Sequence, residues 1–296
     1  MIKVGCCGYP VNRKKYQETF QLVEINRTFY GYPKPQTVTR WREEAPEAFE
    51  FTVKAHQDIS HKYKLRLEQS LEPFRRMKEI CRVLRASILL IQTPASFTPN
   101  NLPQAETFFR EAVRNGISLV WETRGPLWEE TENRKLLKDV LAGLDVSHVT
   151  DPFRTMPVYT NQTVYFRLHG SGERMYYYQY TNKELKELYS KVKPLEKKHE
   201  QVYVLFNNLS MFEDATRFLT YLSTESFPSL NASHGVESVK AIVARTKYPA
   251  TKNVLMKKLG WRLVEFADGK QIRLAELLEN IPSGTYRTPE DVLKHL

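Results

Sequence analysis

Eight short apolar runs, most of them separated by room for a helix, constrain this chain more than anything else in it. They are IKVGC at 2–6, LVEINRTF at 22–29, EFTVKA at 50–55, SILLIQ at 87–92, ISLVWE at 117–122, DVSHV at 145–149, TVYFRL at 163–168 and QVYVLF at 201–206. Strands that alternate with helices call for a parallel sheet covered by helices. Eight such units ending near residue 222 match the size of an α/β TIM barrel, (β/α)8. An open doubly wound sheet would announce a glycine-rich phosphate loop after an early strand. GCCGYP, at 5–10, is neither G-x-G-x-x-G nor a P-loop.

The intervals carry helical signals. FRRMKEICRVL at 74–84 and AETFFREAVRNG at 105–116 have the helical period, and a helix over 182–200 starts behind Thr181 with Glu184 three positions on. Ser210 and Glu213 repeat that capping pattern. The interval between the sixth and seventh runs is short and holds Pro152 and Pro157, which argues against a full helix there. Residues 1–222 are therefore read as the barrel, and 223–235, rich in small and turn-forming residues, as a linker or surface excursion. The last segment, 236–296, reads as a small basic α+β C-terminal domain or extension. In it WRLVEF and KQIRL flank Ala267-Asp268-Gly269 as a hairpin, and Pro289 opens a last short helix behind Thr288.

Composition narrows the partners. A hydrophobic fraction of 41% supports a large core, and no apolar run is long enough to cross a membrane. The opening MIKVGCCGYP is too short to be a secretion signal and reads as a first core strand. A net charge of +10 favours an anionic partner over a cationic one, although a basic surface also serves solubility alone. Three cysteines make no disulfide framework and no zinc knuckle; buried thiols in a reducing cytoplasm are expected. Strand alternation turns Cys6 and Cys7 to opposite faces.

Polar residues gather where the apolar runs end. Glu24 and Asn26 share a face, as do Lys54 and His56, Glu122 and Arg124, and Tyr165, Arg167 and His169. Gln92 ends the fourth run, Asp151 follows the sixth, and Asn207 and Asn208 follow the eighth. In a barrel those ends converge on one mouth, where ligands bind; mouths are also more polar than barrel middles for general reasons.

The segments GCCGYP, EINRTFYGYPKPQTVTRWREEAPEAFEFTVKAH, WETRGPLW, VYFRLHG, a tyrosine-rich stretch and VYVLFNN stand in this order over residues 1–222. Together they resemble the YecE-like family, domain of unknown function 72. The resemblance implies a TIM barrel. It also implies motif positions at Glu24, Asn26, Thr28, Phe29 and Tyr30, at Lys54, at Glu122 and Arg124, at Arg167, His169 and Gly170, and at Asn207 with Asn208. VNRKKY replaces the glycine- and serine-rich region that follows Gly8 in relatives, so no first-loop contact is carried over. The C-terminal segment lies outside the resemblance.

Chemically, Arg167, Arg124 and Lys54 suit a phosphate or carboxylate, because charge-assisted forked bonds favour such oxyanions. Equally, Arg167 and Glu122 can neutralise one another. His169 suits proton transfer near neutral pH, or a single hydrogen bond to a carbonyl. The catalytic candidates are His169, Glu122 and Glu24. The ligand-binding candidates are Lys54, Gln92, Arg124, Arg167, Tyr177, Asn207 and Asn208, with the tyrosines of RMYYYQY at 174–180 as a lid. Glu24, His56, Glu122, Asp151 and His169 admit a divalent metal, but no H-E-x-x-H or tight Cys/His cluster argues for one, and no metal or other cofactor is assigned. Lys252, Lys257, Lys258 and Arg262, interleaved with Tyr248 and Trp261, suit nucleic acid; the alternative is a solvated helix face with Trp261 in a small core. The expectation is an enzyme for a phosphorylated or otherwise anionic substrate, with hydrolysis of a nucleic-acid phosphodiester as its sharpest form. Its rivals are a non-catalytic nucleic-acid-binding module and a sugar-processing barrel enzyme.

Overall fold

The computed structural model describes residues 1–230 and 233–296 and divides into two compact units, Met1–Leu168 with Ser190–Asn207, and His169–Tyr189 with Asn208–Leu296. The first unit holds eight parallel strands: β1 (Ile2–Cys7), β2 (Leu22–Ile25), β3 (Glu50–Lys54), β4 (Ile88–Gln92), β5 (Ser118–Glu122), β6 (Ser147–Val149), β7 (Thr163–Leu168) and β8 (Gln201–Phe206). They run in the order β6-β5-β4-β3-β2-β1-β8-β7. The remaining seam nearly closes: Thr150 bridges Phe166 in parallel, and the Arg167 N–H donates to the Thr150 carbonyl at 3.0 Å. Each of the eight apolar runs marks one of these strands, β1 alone running one residue past its run, to Cys7.

The pleat sorts their residues into two shells. Cys7, Leu22, Leu90, Val120, Tyr165 and Leu205 meet in one buried cluster. Cys6, one position before Cys7, has its N–H on the Tyr16 hydroxyl at 2.8 Å, and that hydroxyl donates to the Leu22 carbonyl at 2.8 Å. Tyr16 belongs to α1 (Arg13–Thr19), so a buried phenol ties this helix to the first two strands. Beside Cys7 the strands come very close. A Cβ added to Gly5 would lie 2.5 Å from the Leu22 carbonyl oxygen and 3.2 Å from Leu205 Cδ2. Backbone cannot yield as a side-chain tip can, so Gly5→Ala is expected to destabilise the barrel by about 1–3 kcal/mol, read as a lower unfolding midpoint in urea.

Helices follow the strands with instructive departures from the sequence pattern. The second strand stops at Ile25, four residues short of the apolar run, and the chain turns into α2 (Arg27–Tyr30) and then α3 (Pro35–Glu43). Thr28 drives that turn: its hydroxyl meets the Ile25 carbonyl at 2.9 Å and the Lys54 carbonyl at 2.7 Å. The next helix, α4 (Leu67–Leu84), begins seven residues before the periodic stretch and carries Pro73 within it. By contrast α5 (Leu102–Glu111) ends early, with Ala112 already extended, before Asn115 and Gly116 take positive φ. After α6 (Thr131–Leu144), residues 150–162, all described, form turns and no helix, as Pro152 and Pro157 led one to expect. The helix expected over 182–200 is α7 (Asn182–Val192); Pro194 sits in the 3-10 turn that follows it.

Within the second unit the two capping patterns have different outcomes. Thr181 and Glu184 form the reciprocal box, with Thr181 N–H on Glu184 Oε2 at 2.7 Å and Glu184 N–H on Thr181 Oγ1 at 3.2 Å. Ser210, before α8 (Met211–Thr224), makes no such cap: its hydroxyl donates to Glu213 at 2.9 Å. Gln179, Arg245 and Arg262 also claim that carboxylate. The C-terminal extension comprises α9 (Gly235–Val243), β9 (Ala250–Thr251), α10 (Lys252–Leu259), β10 (Leu263–Glu265), β11 (Gln271–Arg273), α11 (Leu274–Leu278), β12 (Thr285–Tyr286) and α12 (Pro289–Leu293). The expected hairpin is β10 against β11, and β12 pairs antiparallel with β9. Val239, Ile242, Leu255, Val264, Leu274 and Leu278 are among the residues of its own core. Thr288 caps α12 by accepting the Asp291 N–H at 3.2 Å. Among the described residues no helix is long and apolar enough to cross a membrane.

Candidate functional site

At the C-terminal ends of the barrel strands the register places Cys7 beside Glu24, Glu24 beside Thr52, Lys54 beside Leu90 and Gln92 beside Glu122. Tyr165 and Arg167, two apart on β7, reach the same interior. Six sequence candidates from five strands and the loop after β5 therefore meet: Glu24, Lys54, Gln92, Glu122, Arg124 and Arg167.

Arg167 is the hub, only 1% exposed. Its Nε donates to Glu24 Oε2 at 3.1 Å and its Nη2 to Glu24 Oε1 at 2.8 Å, a bidentate grip. Its Nη1 reaches Glu122 Oε2 at 2.5 Å, and Nη2 lies 3.4 Å from Asn26 Oδ1. Tyr165 completes Glu24 by donating its hydroxyl to Oε2 at 2.8 Å, and Thr52 meets that hydroxyl at 2.8 Å. Burial pulls against the Arg167 charge, but Cys7, Glu24 and Glu122 together hold the guanidinium well above its usual range. The Cys7 thiol is pushed up by burial. These donors are committed inside the protein, where Arg167 holds the two carboxylates.

Two cations remain nearer the surface. Arg124 pairs with the other oxygen of Glu122 and keeps 19% of its side-chain surface exposed. Lys54, 7% exposed, donates to Gln92 Oε1 at 2.7 Å and sits 4.1 Å over the Phe29 ring. Burial first, and the Arg167 charge second, lower its pKa to about 8, against the opposing pull of Glu122 and Glu24. An amine that changes charge so near neutrality is unusual for lysine and is a mark of functional sites.

Other sequence candidates have other surroundings. Asn207 continues the ladder through its N–H to the Leu168 carbonyl at 2.8 Å. His56 stacks on Tyr32 at 4.0 Å and accepts the Asp58 N–H through Nδ1 at 3.1 Å. Asp151 Oδ1 accepts the Phe153 N–H at 3.0 Å. Among the described residues no three His, Cys, Asp or Glu side chains form a group that could hold a metal ion.

His169, Tyr177 and Asn208 belong to the second unit. His169 is buried, with Tyr176 at 5.9 Å between rings. Arg174 lies 3.3 Å over the Tyr177 ring, whose edge contacts Trp261 at 6.1 Å between centroids. Asn208 Nδ2 is tied to the Tyr178 carbonyl at 2.8 Å and to Asp214 at 2.7 Å. Asp214, which sequence reasoning missed, is fully buried; burial raises its pKa to about 7 against the lowering pull of Arg217. Nothing in its place on an amphipathic helix distinguishes it from a solvated first-turn acid. Of the C-terminal cations, Lys257 and Lys258 are exposed. Lys252 caps the Glu279 and Ile281 carbonyls at 2.8 Å, and Arg262 faces Glu213 at 3.5 Å.

Comparison with known proteins places this architecture. The family described as "Protein of unknown function DUF72" matches residues 11–233, and the "Family of unknown function (DUF5789)" matches residues 234–296. The chain is similar to the UPF0759 protein YecE of Escherichia coli K12, 34% identical over 131 residues, which are 42% of this chain and 47% of that protein. It thus spans about half the length of that curated relative. A DUF72 family protein of Enterococcus faecalis superposes with a TM-score of 0.63 at 22% identity, over 75% of this chain and 97% of that one. One from Thermotoga maritima gives 0.58 at 22% identity, over 75% and 99%. Both share the fold. With its family match covering more than half of the chain and strands β2 to β8 of the barrel, the chain belongs to the DUF72, YecE-like family.

Proposed function

We propose that the barrel mouth is the active site of an enzyme for a small anionic substrate. One observation carries the reading: Lys54 is buried among charged groups, and its pKa is lowered to about 8. In this scheme Arg124 receives the substrate's phosphate or carboxylate, and Lys54 exchanges a proton with it. Gln92 aims the amine, and Glu122 and Arg167 hold Arg124 and Glu24 in place. Arg167 is a positioning residue here, not a ligand contact. His169, Asn207, Asn208 and Tyr177 carry no role in the scheme. Residues 1–222 are read as the catalytic barrel, 223–235 as a linker and 236–296 as an added domain. Three buried cysteines, none of them in a disulfide, support a reducing, cytoplasmic setting.

The test is binding and turnover on a panel of DNA, RNA, sugar phosphates and small carboxylates, with and without divalent ions. Arg124→Ala is expected to weaken binding of the productive anion about ten- to hundredfold, the worth of one charge-assisted contact. Salt-sensitive nucleic-acid binding that survives Arg124→Ala and disappears in a Lys257→Glu, Lys258→Glu double variant would replace this reading with the nucleic-acid-binding one.

A further inference from the structure

Lys54 differs from its neighbours in the company it keeps. Arg167 grips Glu24 and Glu122, and Arg124 grips Glu122. Among the described residues no carboxylate lies within ion-pairing distance of the Lys54 ammonium, which has only the Gln92 amide oxygen at 2.7 Å and the Phe29 ring face at 4.1 Å. A lysine placed for charge alone would be held protonated by an acid. An amide oxygen instead accepts an N–H from either charge state and leaves the lone pair of the neutral amine unused. With a pKa of about 8, about a tenth of the molecules carry the neutral form at pH 7. The residue also ends a strand of a TIM barrel, the position from which such folds present reacting groups.

We infer that Lys54 is a nucleophile, and that the substrate of this anion site carries an aldehyde or ketone carbonyl which condenses with Lys54 to an imine. The inference rests on the reading of the mouth as an anion site. The lysine nitrogen forms a bond to the carbonyl carbon while the C=O π pair moves to oxygen, which takes up a proton. The nitrogen gives up one of its two protons to form the carbinolamine. Its lone pair then expels the hydroxyl, protonated in turn, as water to leave the protonated imine, which releases the second proton to become the imine. Amine and carbonyl give imine and one water, with no oxidant or reductant. The protonated imine is a cation in the field of Glu24 and Glu122, the two carboxylates that already oppose the loss of charge at Lys54. Arg124 holds the anionic end of the same molecule.

Borohydride trapping tests this directly. The full chain at pH 8 is incubated with pyruvate, glyoxylate or dihydroxyacetone phosphate, reduced with sodium borohydride, and read by intact mass and peptide mapping. At least one probe is expected to leave a single reduced adduct on the peptide containing Lys54. The oxo acids and the phosphorylated ketone decide between a carboxylate and a phosphate as the anionic end. The adduct is absent from Lys54→Met and from Lys54→Arg; the second variant keeps the charge, and circular dichroism establishes that both are folded. No adduct with any probe, or adducts at other lysines that persist in Lys54→Met, overturns the inference. Calorimetric binding of the same probes separates the two levels. Saturable binding that Arg124→Ala abolishes, with no trapped adduct, overturns the imine and leaves the anion site standing, whereas no binding removes both.

Discussion

Replacing Arg167 with methionine is expected to destabilise the barrel by about 3–5 kcal/mol, because it strips the cation from buried carboxylates. Glu24 is fully buried, and both of its carboxylate oxygens accept from this guanidinium. For a chain of this size the loss corresponds to roughly 6–20 °C in the thermal midpoint. Adding Glu24→Gln to Arg167→Met removes the stranded charge and is expected to recover a large part of that loss. Two folded-state variants, each harmful alone and less harmful together, would show that Arg167 serves the carboxylates. If Arg167→Met unfolds within about 1 kcal/mol of the parent protein, the buried network is not the organiser of the mouth described here.

How far this network was legible depends on which step is asked about. Strand period alone placed Tyr165 and Arg167 on one face, and β7 runs over those same residues. Period could not extend to His169, because β7 ends at Leu168 and Gly170 turns at φ +88°. A Cβ there would also lie 2.3 Å from Tyr178 Cβ, so the turn is specific to glycine. Run lengths identified eight strands, yet LVEINRTF looked like strand to its end, since Thr and Phe favour extended chain. The structure overrides that preference through the two carbonyls that Thr28 satisfies. Partner choice was the least legible. Arg167 and Glu24 are 143 positions apart, and only closure of the barrel decides that Arg167 spans two acids while Lys54 is left with an amide. Thr181 with Glu184 and Ser210 with Glu213 have the same spacing, and only tertiary donors to Glu213 separate their fates.

Lys54→Met is expected to act in the opposite direction from Arg167→Met, raising stability at pH 7 by about 1–3 kcal/mol while eliminating the trapped adduct. The folded protein holds this lysine at a pKa of about 8, below the ordinary 10.5 of the unfolded chain. Below pH 8 both states carry the proton, and the folded state bears the full cost of an ammonium without a carboxylate partner. Between pH 8 and 10.5 the unfolded chain keeps the proton that the folded chain has released. Stability from this group therefore climbs with pH across that window and is flat below it. Methionine has no such slope, so the advantage of the variant should shrink from pH 7 to pH 10 in matched urea titrations. Background titration of other groups cancels in the difference. A Lys54→Met protein that is less stable than its parent at pH 7, or whose difference does not change with pH, would make Lys54 a structural cation. A stabilising loss of the amine, coupled to loss of chemistry, is what a residue retained for reaction requires.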